Sequence, residues 1–157
     1  MTIPEMDDET RLVYEKGQEA LGRLLDAIRD NDPEIIMMRM TEVAALGGKV
    51  TFSVCGAIAG MIGKAYLGDA FRNMPPGAFA MPQLTLLSDG SHVPLDDADP
   101  SAVIATQFVA AIANEDLPTS AALFAAAVDL GPEKFTDFMA TIVGNACLIA
   151  REARRNN

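Results

Sequence analysis

VTFSVCGAIAGM, from Val50 to Met61, contains no ionisable side chain other than Cys55. Such a run has to be covered when the chain folds, because removal of apolar surface from water is the main favourable term in folding. Lys49 and Lys64 bound it. A membrane-spanning helix needs roughly 20 apolar residues, so this run is too short to cross a bilayer and reads as a core helix. Its pattern continues through Ala65, Tyr66 and Leu67 toward Phe71.

On the N-terminal side, Gly47-Gly48 supplies the left-handed or flexible positions that end a helix. The helix ending there starts at Asn31-Asp32-Pro33-Glu34, a cap candidate followed by proline at the first helical position. It runs through Ile36, Met40 and Val43 to Leu46. Before it, Val13, Ala20, Leu21, Leu24, Leu25 and Ile28 recur at three- and four-residue spacings between charged residues, the mark of an amphipathic helix from Asp7 to Asp30.

On the C-terminal side, Pro75, Pro76, Pro82 and Pro94 with Gly77 and Gly90 forbid a continuous helix. The segment 73–98 is therefore a connection, expected to be the first place a protease cuts. Gln83 to Leu87 and Ser91 to Leu95 flank the turn sequence Ser88-Asp89-Gly90, which leaves a small hairpin and an extended loop both open. Helical patterns then resume. Asp99-Pro100 opens one with Val103, Ile104, Phe108, Val109 and Ile112 as its buried stripe; Asp116-Leu117-Pro118 opens the next, with Leu123, Phe124, Ala127 and Val128. Pro132 opens a long last helix carrying Phe135, Phe138, Met139, Ile142, Val143, Ala146, Ile149 and Ala153.

The expected fold is all-α: a single domain of about six helices spanning residues 1–157, in halves 7–72 and 99–157 joined by the connection. A shift of 84 positions aligns Ala27-Ile28 with Ala111-Ile112, Asp32 with Asp116, Leu46-Gly47 with Leu130-Gly131, Ile58 with Ile142 and Gly60 with Gly144. These matches fall on helix ends and on a small residue suited to close packing, as a duplicated three-helix unit would leave them.

The net charge of -10, from 22 acidic and 12 basic residues, opposes the phosphate backbone that dominates nucleic-acid affinity. No nucleic-acid partner is expected. Arg151, Arg154 and Arg155 form a basic cluster at the C-terminal end of the last helix, where cations favour the helix dipole. With one histidine, His92, and no ligand spacing among the carboxylates, no metal and no cofactor are expected. The acidic start MTIPEMDDETR lacks the order of an export signal, so the cytoplasm is the expected location.

Chemistry-bearing motifs are scarce. Leu46-Gly47-Gly48-Lys49-Val50-Thr51 has a glycine-rich turn before a helix, but Val43 and Val50 stand where a phosphate loop needs a glycine and a hydroxyl. Cys55 and Cys147 lie inside apolar helical patterns without a nearby base, which makes them core residues rather than nucleophiles or disulfide partners. The cluster Asp89, Asp96, Asp97 and Asp99 lacks the spacing of a calcium loop.

Two features remain as interaction or ligand-binding candidates. Gly56 and Gly60, with Gly63 on a neighbouring ridge, let another backbone approach closely. Gly60 is expected at the closest crossing, so that even an alanine there would destabilise by overpacking. Met37, Met38 and Met40 place adaptable apolar groups around more than one face of a short helix. By elimination, the function expected is a non-enzymatic protein-interaction or regulatory role through a helical surface, as a homodimer and with another protein. The alternatives are a binder of a small apolar ligand held between helices, and an enzyme with its residues on the 73–98 connection.

Overall fold

A computed structural model describes residues 5–72, 84–86 and 92–156. Among them six helices carry an all-α fold: α1 (Asp8–Asp30), α2 (Pro33–Ala45), α3 (Gly48–Arg72), α4 (Pro100–Ala113), α5 (Leu117–Asp129) and α6 (Pro132–Arg155). Within the connection, β1 (Leu84–Leu86) pairs antiparallel with β2 (His92–Pro94), with Leu84 opposite Pro94 and Leu86 opposite His92. The turn sequence Ser88-Asp89-Gly90 and the prolines Pro75, Pro76 and Pro82 lie outside the described residues, and with them the expectation of proteolytic opening.

Four of the helices, α1, α2, α4 and α5, start where aspartates satisfy N–H groups that have no partner within the helix. Asp7 accepts the Thr10 N–H at 2.7 Å, Asp32 the Glu34 and Ile35 N–H groups at 3.1 and 3.3 Å, and Asp116 the Thr119 N–H at 3.2 Å. Asp99 accepts from the Ser101 N–H at 3.0 Å and hydroxyl at 2.7 Å, and its other oxygen takes a 2.7 Å bond from Lys134 Nζ on α6. The Lys134 ammonium and the two Ser101 donors hold the Asp99 carboxyl down at about 2.

A carboxyl depressed in the folded state stabilises above its unfolded value and loses that contribution as pH falls through the folded value. The loss at Asp99 therefore falls between the ordinary 3.8 and about 2. Asp99→Asn keeps a capping acceptor but removes the charge. Acid titrations of stability are expected to be flatter for this variant than for the unsubstituted chain between those limits; parallel curves would show that the ion pair contributes nothing.

The chain divides into two compact units, residues 1–54 and 55–157, so the boundary lies inside α3. In the first, α1 packs on α2. Leu24, Met40, Val43, Val50 and Val54 are buried there, and the Thr51 hydroxyl bonds the Gly47 carbonyl at 2.8 Å with Val43 O also in reach at 3.1 Å. In the second, α4 packs against α5, α6 and β1. Its centre is a phenylalanine cluster in which Phe138 meets Phe108 edge-on at 5.5 Å, Phe124 edge-on at 6.2 Å and Phe135 stacked at 5.7 Å.

The run from Val50 to Met61 lies in a core helix, with Val50, Val54, Cys55, Ile58 and Ala59 buried, yet α4 is covered more fully. No residue from Ser101 to Asn114 is exposed, whereas on α3 Ser53 is open and Met61 is 44% exposed. The reason is equally a lack of charge: Pro100 to Asn114 has no ionisable side chain, and three other elements of its unit surround it.

The 84-residue shift reappears in the backbone. It carries α2 (Pro33–Ala45) onto the bounds of α5 (Leu117–Asp129) and the start of α3 at Gly48 onto that of α6 at Pro132. The two non-glycine residues with positive φ, Asn31 (53°) and Glu115 (58°), correspond, as do Gly47 and Gly131, both at 101°. Closing bonds match as well: Asn31 N to Ile28 O and Glu115 N to Ile112 O, Gly47 N to Ala44 O and Gly131 N to Val128 O. Inward positions follow the same register: the buried Leu24, Met40, Thr51 and Val54 match the buried Phe108, the half-buried Phe124 and Phe135, and the buried Phe138.

Candidate functional site

The local sequence of α2 decides what it exposes. Asp32 and Pro33 fix its start, and the inward positions, Met40 and Val43, are 6% and 0% exposed. Helical rotation puts Met38 opposite that face and Met37 at its edge, where they are 54% and 57% exposed. Of the three methionines singled out from the sequence, two therefore lie together on the surface and Met40 belongs to the core. Beside the exposed pair, Arg39 donates to both Glu42 carboxylate oxygens at 2.8 and 3.1 Å, and Arg23 on α1 stands 3.7 Å from the same carboxylate. The result is an apolar patch with a charged margin.

The corresponding helix of the second unit, α5, leaves the same face open. Positions 37, 41 and 44 on α2 and 121, 125 and 128 on α5 are all exposed. On α5 these are Ala121, Ala125 and Val128, preceded by Leu117, and no charged side chain occurs from Leu117 to Val128. Val128, one of the apolar residues this helix carries, is 49% exposed, and Leu117 is 64% exposed. Sequence reasoning missed this stripe, although its signal was present as 117, 121, 125 and 128, a four-four-three spacing that returns to one helix face.

The glycines of α3 do not behave alike. A Cβ on Gly56 would lie 3.6 Å from Ile112 Cδ1 and one on Gly60 3.9 Å from Ile112 Cγ2, both ordinary contacts, while one on Gly63 would lie 2.9 Å from the Ala113 Cβ. The closest crossing is thus at Gly63, which corrects the expectation placed on Gly60. Helix position explains it: Ile112 can fill the space beside Gly56 and Gly60 with its own side chain, whereas Ala113 brings its methyl group straight against Gly63. Gly60→Ala is accordingly expected to raise stability, by up to about 1 kcal/mol from helix propensity alone. A fall in its denaturation midpoint would mean that Ile112 cannot accept the added methyl.

Between helices of the second unit, Ile62, Ala105, Thr106, Val109, Thr141, Ile142 and Asn145 line a crevice too narrow to admit a water-sized sphere. Its polar groups are engaged within their own helices: Thr106 donates to Ala102 O at 3.0 Å, Thr141 to Asp137 O at 2.9 Å and Asn145 Nδ2 to Thr141 O at 2.8 Å. Burial pushes the Cys55 thiol up to about 12 and raises that of Cys147, the latter opposed by the Arg151 charge. Both thiols are therefore protonated at neutral pH, a poor state for a nucleophile.

Among the described residues, no three His, Cys, Asp or Glu side chains gather where an ion could be held, and no helix is long and apolar enough to cross a membrane. Most of the 73–98 connection, where an enzymatic alternative would place its residues, lies outside the described residues. No family model, curated protein or solved structure matches the chain.

Proposed function

We propose that this chain is a non-enzymatic interaction or regulatory protein of the cytoplasm, which works through helix faces and associates with itself and with another protein. The observation that supports this most is the repeated exposure of one face on the middle helix of each three-helix set, with Met37 and Met38 on α2 and Leu117 and Val128 on α5. Large apolar side chains grouped in this way favour a partner surface over isolated contact with water. Methionine adds adaptability, since its unbranched chain fits irregular partner surfaces. The duplication of a three-helix unit is part of the proposal, supported by the helix-end angles, closing bonds and core positions that share the 84-residue shift.

The test compares tagged protein with a Met37→Glu/Met38→Glu variant. Both substitutions are at exposed helix positions, so circular dichroism should be unchanged. A discrete protein recovered in fixed proportion with the unsubstituted chain and lost from the variant is the expected result. Recovery that is equal for both, or a small apolar compound released from the purified protein by organic extraction, would overturn the assignment.

A further inference from the structure

We infer that Met37 and Met38 form a reversible oxidation site, at which a peroxide-class oxidant turns the apolar patch of α2 polar and releases its partner while the helix stands. This rests on the proposal that the patch binds a partner, and it names how that binding is regulated.

Exposure selects these two sulfurs. Met37 is 57% and Met38 54% exposed, against 6% for Met40 on the same helix and 3% for Met139. Met6 and Met61 are also open, at 47% and 44%, but each stands singly, the first ahead of α1 and the second on α3. Among the described residues only α2 sets two exposed methionines side by side. The thiols do not compete for the same oxidant, since Cys55 and Cys147 are buried and protonated and the thiolate is the reactive form. A thioether has no proton to lose, so its reaction needs only access.

The step is an oxygen-atom transfer. The sulfur lone pair attacks one peroxide oxygen, the O–O bond breaks as an S–O bond forms, and the departing oxygen takes both protons and leaves as water. Sulfur loses two electrons and the peroxide gains them. A dithiol reductant reverses the change, carrying the oxygen off as water and becoming a disulfide. The sulfoxide is polar, so the apolar area offered to a partner is lost while it persists. The helix survives because its inward side chains, Met40 and Val43, are covered and Asp32 still holds its first turn.

The corresponding helix of the second unit supplies a contrast. The 84-residue shift carries positions 37 and 38 to Ala121 and Ala122, both exposed on α5, and neither can take up oxygen. Leucine at 37 and 38 would give α2 a similar apolar area and helix propensity. Beyond flexibility, what methionine adds there is the oxidisable sulfur. One of two corresponding faces is therefore sensitive to oxidant and the other is not.

Limited hydrogen peroxide treatment of the full chain tests this, followed by peptide mapping, hydrophobic-interaction chromatography and recovery of the partner on the tagged protein. Met37 and Met38 should each gain one oxygen at least about tenfold faster than Met40 and Met139, with the helical signal unchanged. The oxidised chain should elute earlier and recover less partner, and methionine sulfoxide reductase with dithiothreitol should restore both. Met37→Leu/Met38→Leu should keep the partner and shift far less in elution after peroxide, although Met6 and Met61 remain. Oxidation of Met37 and Met38 no faster than of Met40 and Met139 would overturn the inference. So would a loss of helix on oxidation, an equal elution shift in the leucine variant, or partner recovery indifferent to oxidation. A chain that recovers no partner even before treatment would instead defeat the interaction function, with oxidation rates and elution still deciding whether the site exists.

Discussion

Replacing Phe138 with alanine is expected to lower the stability of the protein by about 3–5 kcal/mol, the usual cost of removing a buried ring from a packed core. Phe138 is 0% exposed and touches phenylalanines of three helices, with ring centres at 5.5 Å from Phe108, 6.2 Å from Phe124 and 5.7 Å from Phe135. Edge-on and offset ring pairs contribute about 0.5–1.5 kcal/mol each beyond the area they bury. Alanine therefore forfeits burial and three ring contacts together, and leaves a cavity where α4, α5 and α6 converge. The matching place in the first unit holds Val54, which is 2% exposed. Val54→Ala removes two methyl groups, about 1.6 kcal/mol of transfer free energy at roughly 0.8 kcal/mol per carbon, plus a small cavity term. Guanidinium denaturation followed by circular dichroism should rank Phe138→Ala well below Val54→Ala. Equal costs would mean that the rings are not the principal packing of the second unit.

Gly63→Ala has the second-largest expected effect, and it is a loss. The new Cβ would stand 2.9 Å from the Cβ of Ala113 and 3.8 Å from its Cα. Ala113 has no flexible side chain to swing aside, so α3 and α4 must separate at this point. Overpacking of this kind costs about 1–3 kcal/mol against a helix-propensity gain of at most about 1 kcal/mol, so the balance is a loss of up to about 2 kcal/mol. Ala113→Gly in the same chain removes the opposing methyl at the last residue of α4, where the helix tolerates glycine best, and should recover part of the loss. A Gly63→Ala midpoint at or above that of the unsubstituted chain would show that the two helices are not in contact there. Together with the expected gain from Gly60→Ala, this pair separates two glycines of one helix by the sign of the same substitution.

What could be read of the candidate surface was partial, for identifiable reasons. Met37 and Met38 stood out because adjacent methionines on a short helix cannot all point inward, yet which of the three methionines faced the core depended on where α1 lies against α2. The stripe on α5 was obscured because Val128 sits one residue from the buried Ala127 in a helix made almost wholly of apolar residues. Where every side chain is alanine-like, hydrophobicity no longer marks the inward face, and only the neighbouring helices decide it.

The sequence by itself determined the helices and their ends. Asp32-Pro33, Asp99-Pro100, Asp116-Leu117-Pro118 and the glycines at 47 and 131 act through hydrogen bonds and φ preferences that reach no more than about four residues, so they are legible wherever they occur. It also carried the 84-residue register, because helix ends are where shared geometry leaves shared residues. Tertiary structure alone decided that α4 and not the run from Val50 to Met61 is the most covered helix, since burial is set by the helices packed on each side. It decided too that Gly63, and neither Gly56 nor Gly60, meets its neighbour most closely. That distinction lies in whether Ile112 or Ala113 stands opposite, about fifty residues further along the chain, and spacing within a single helix carries no record of it.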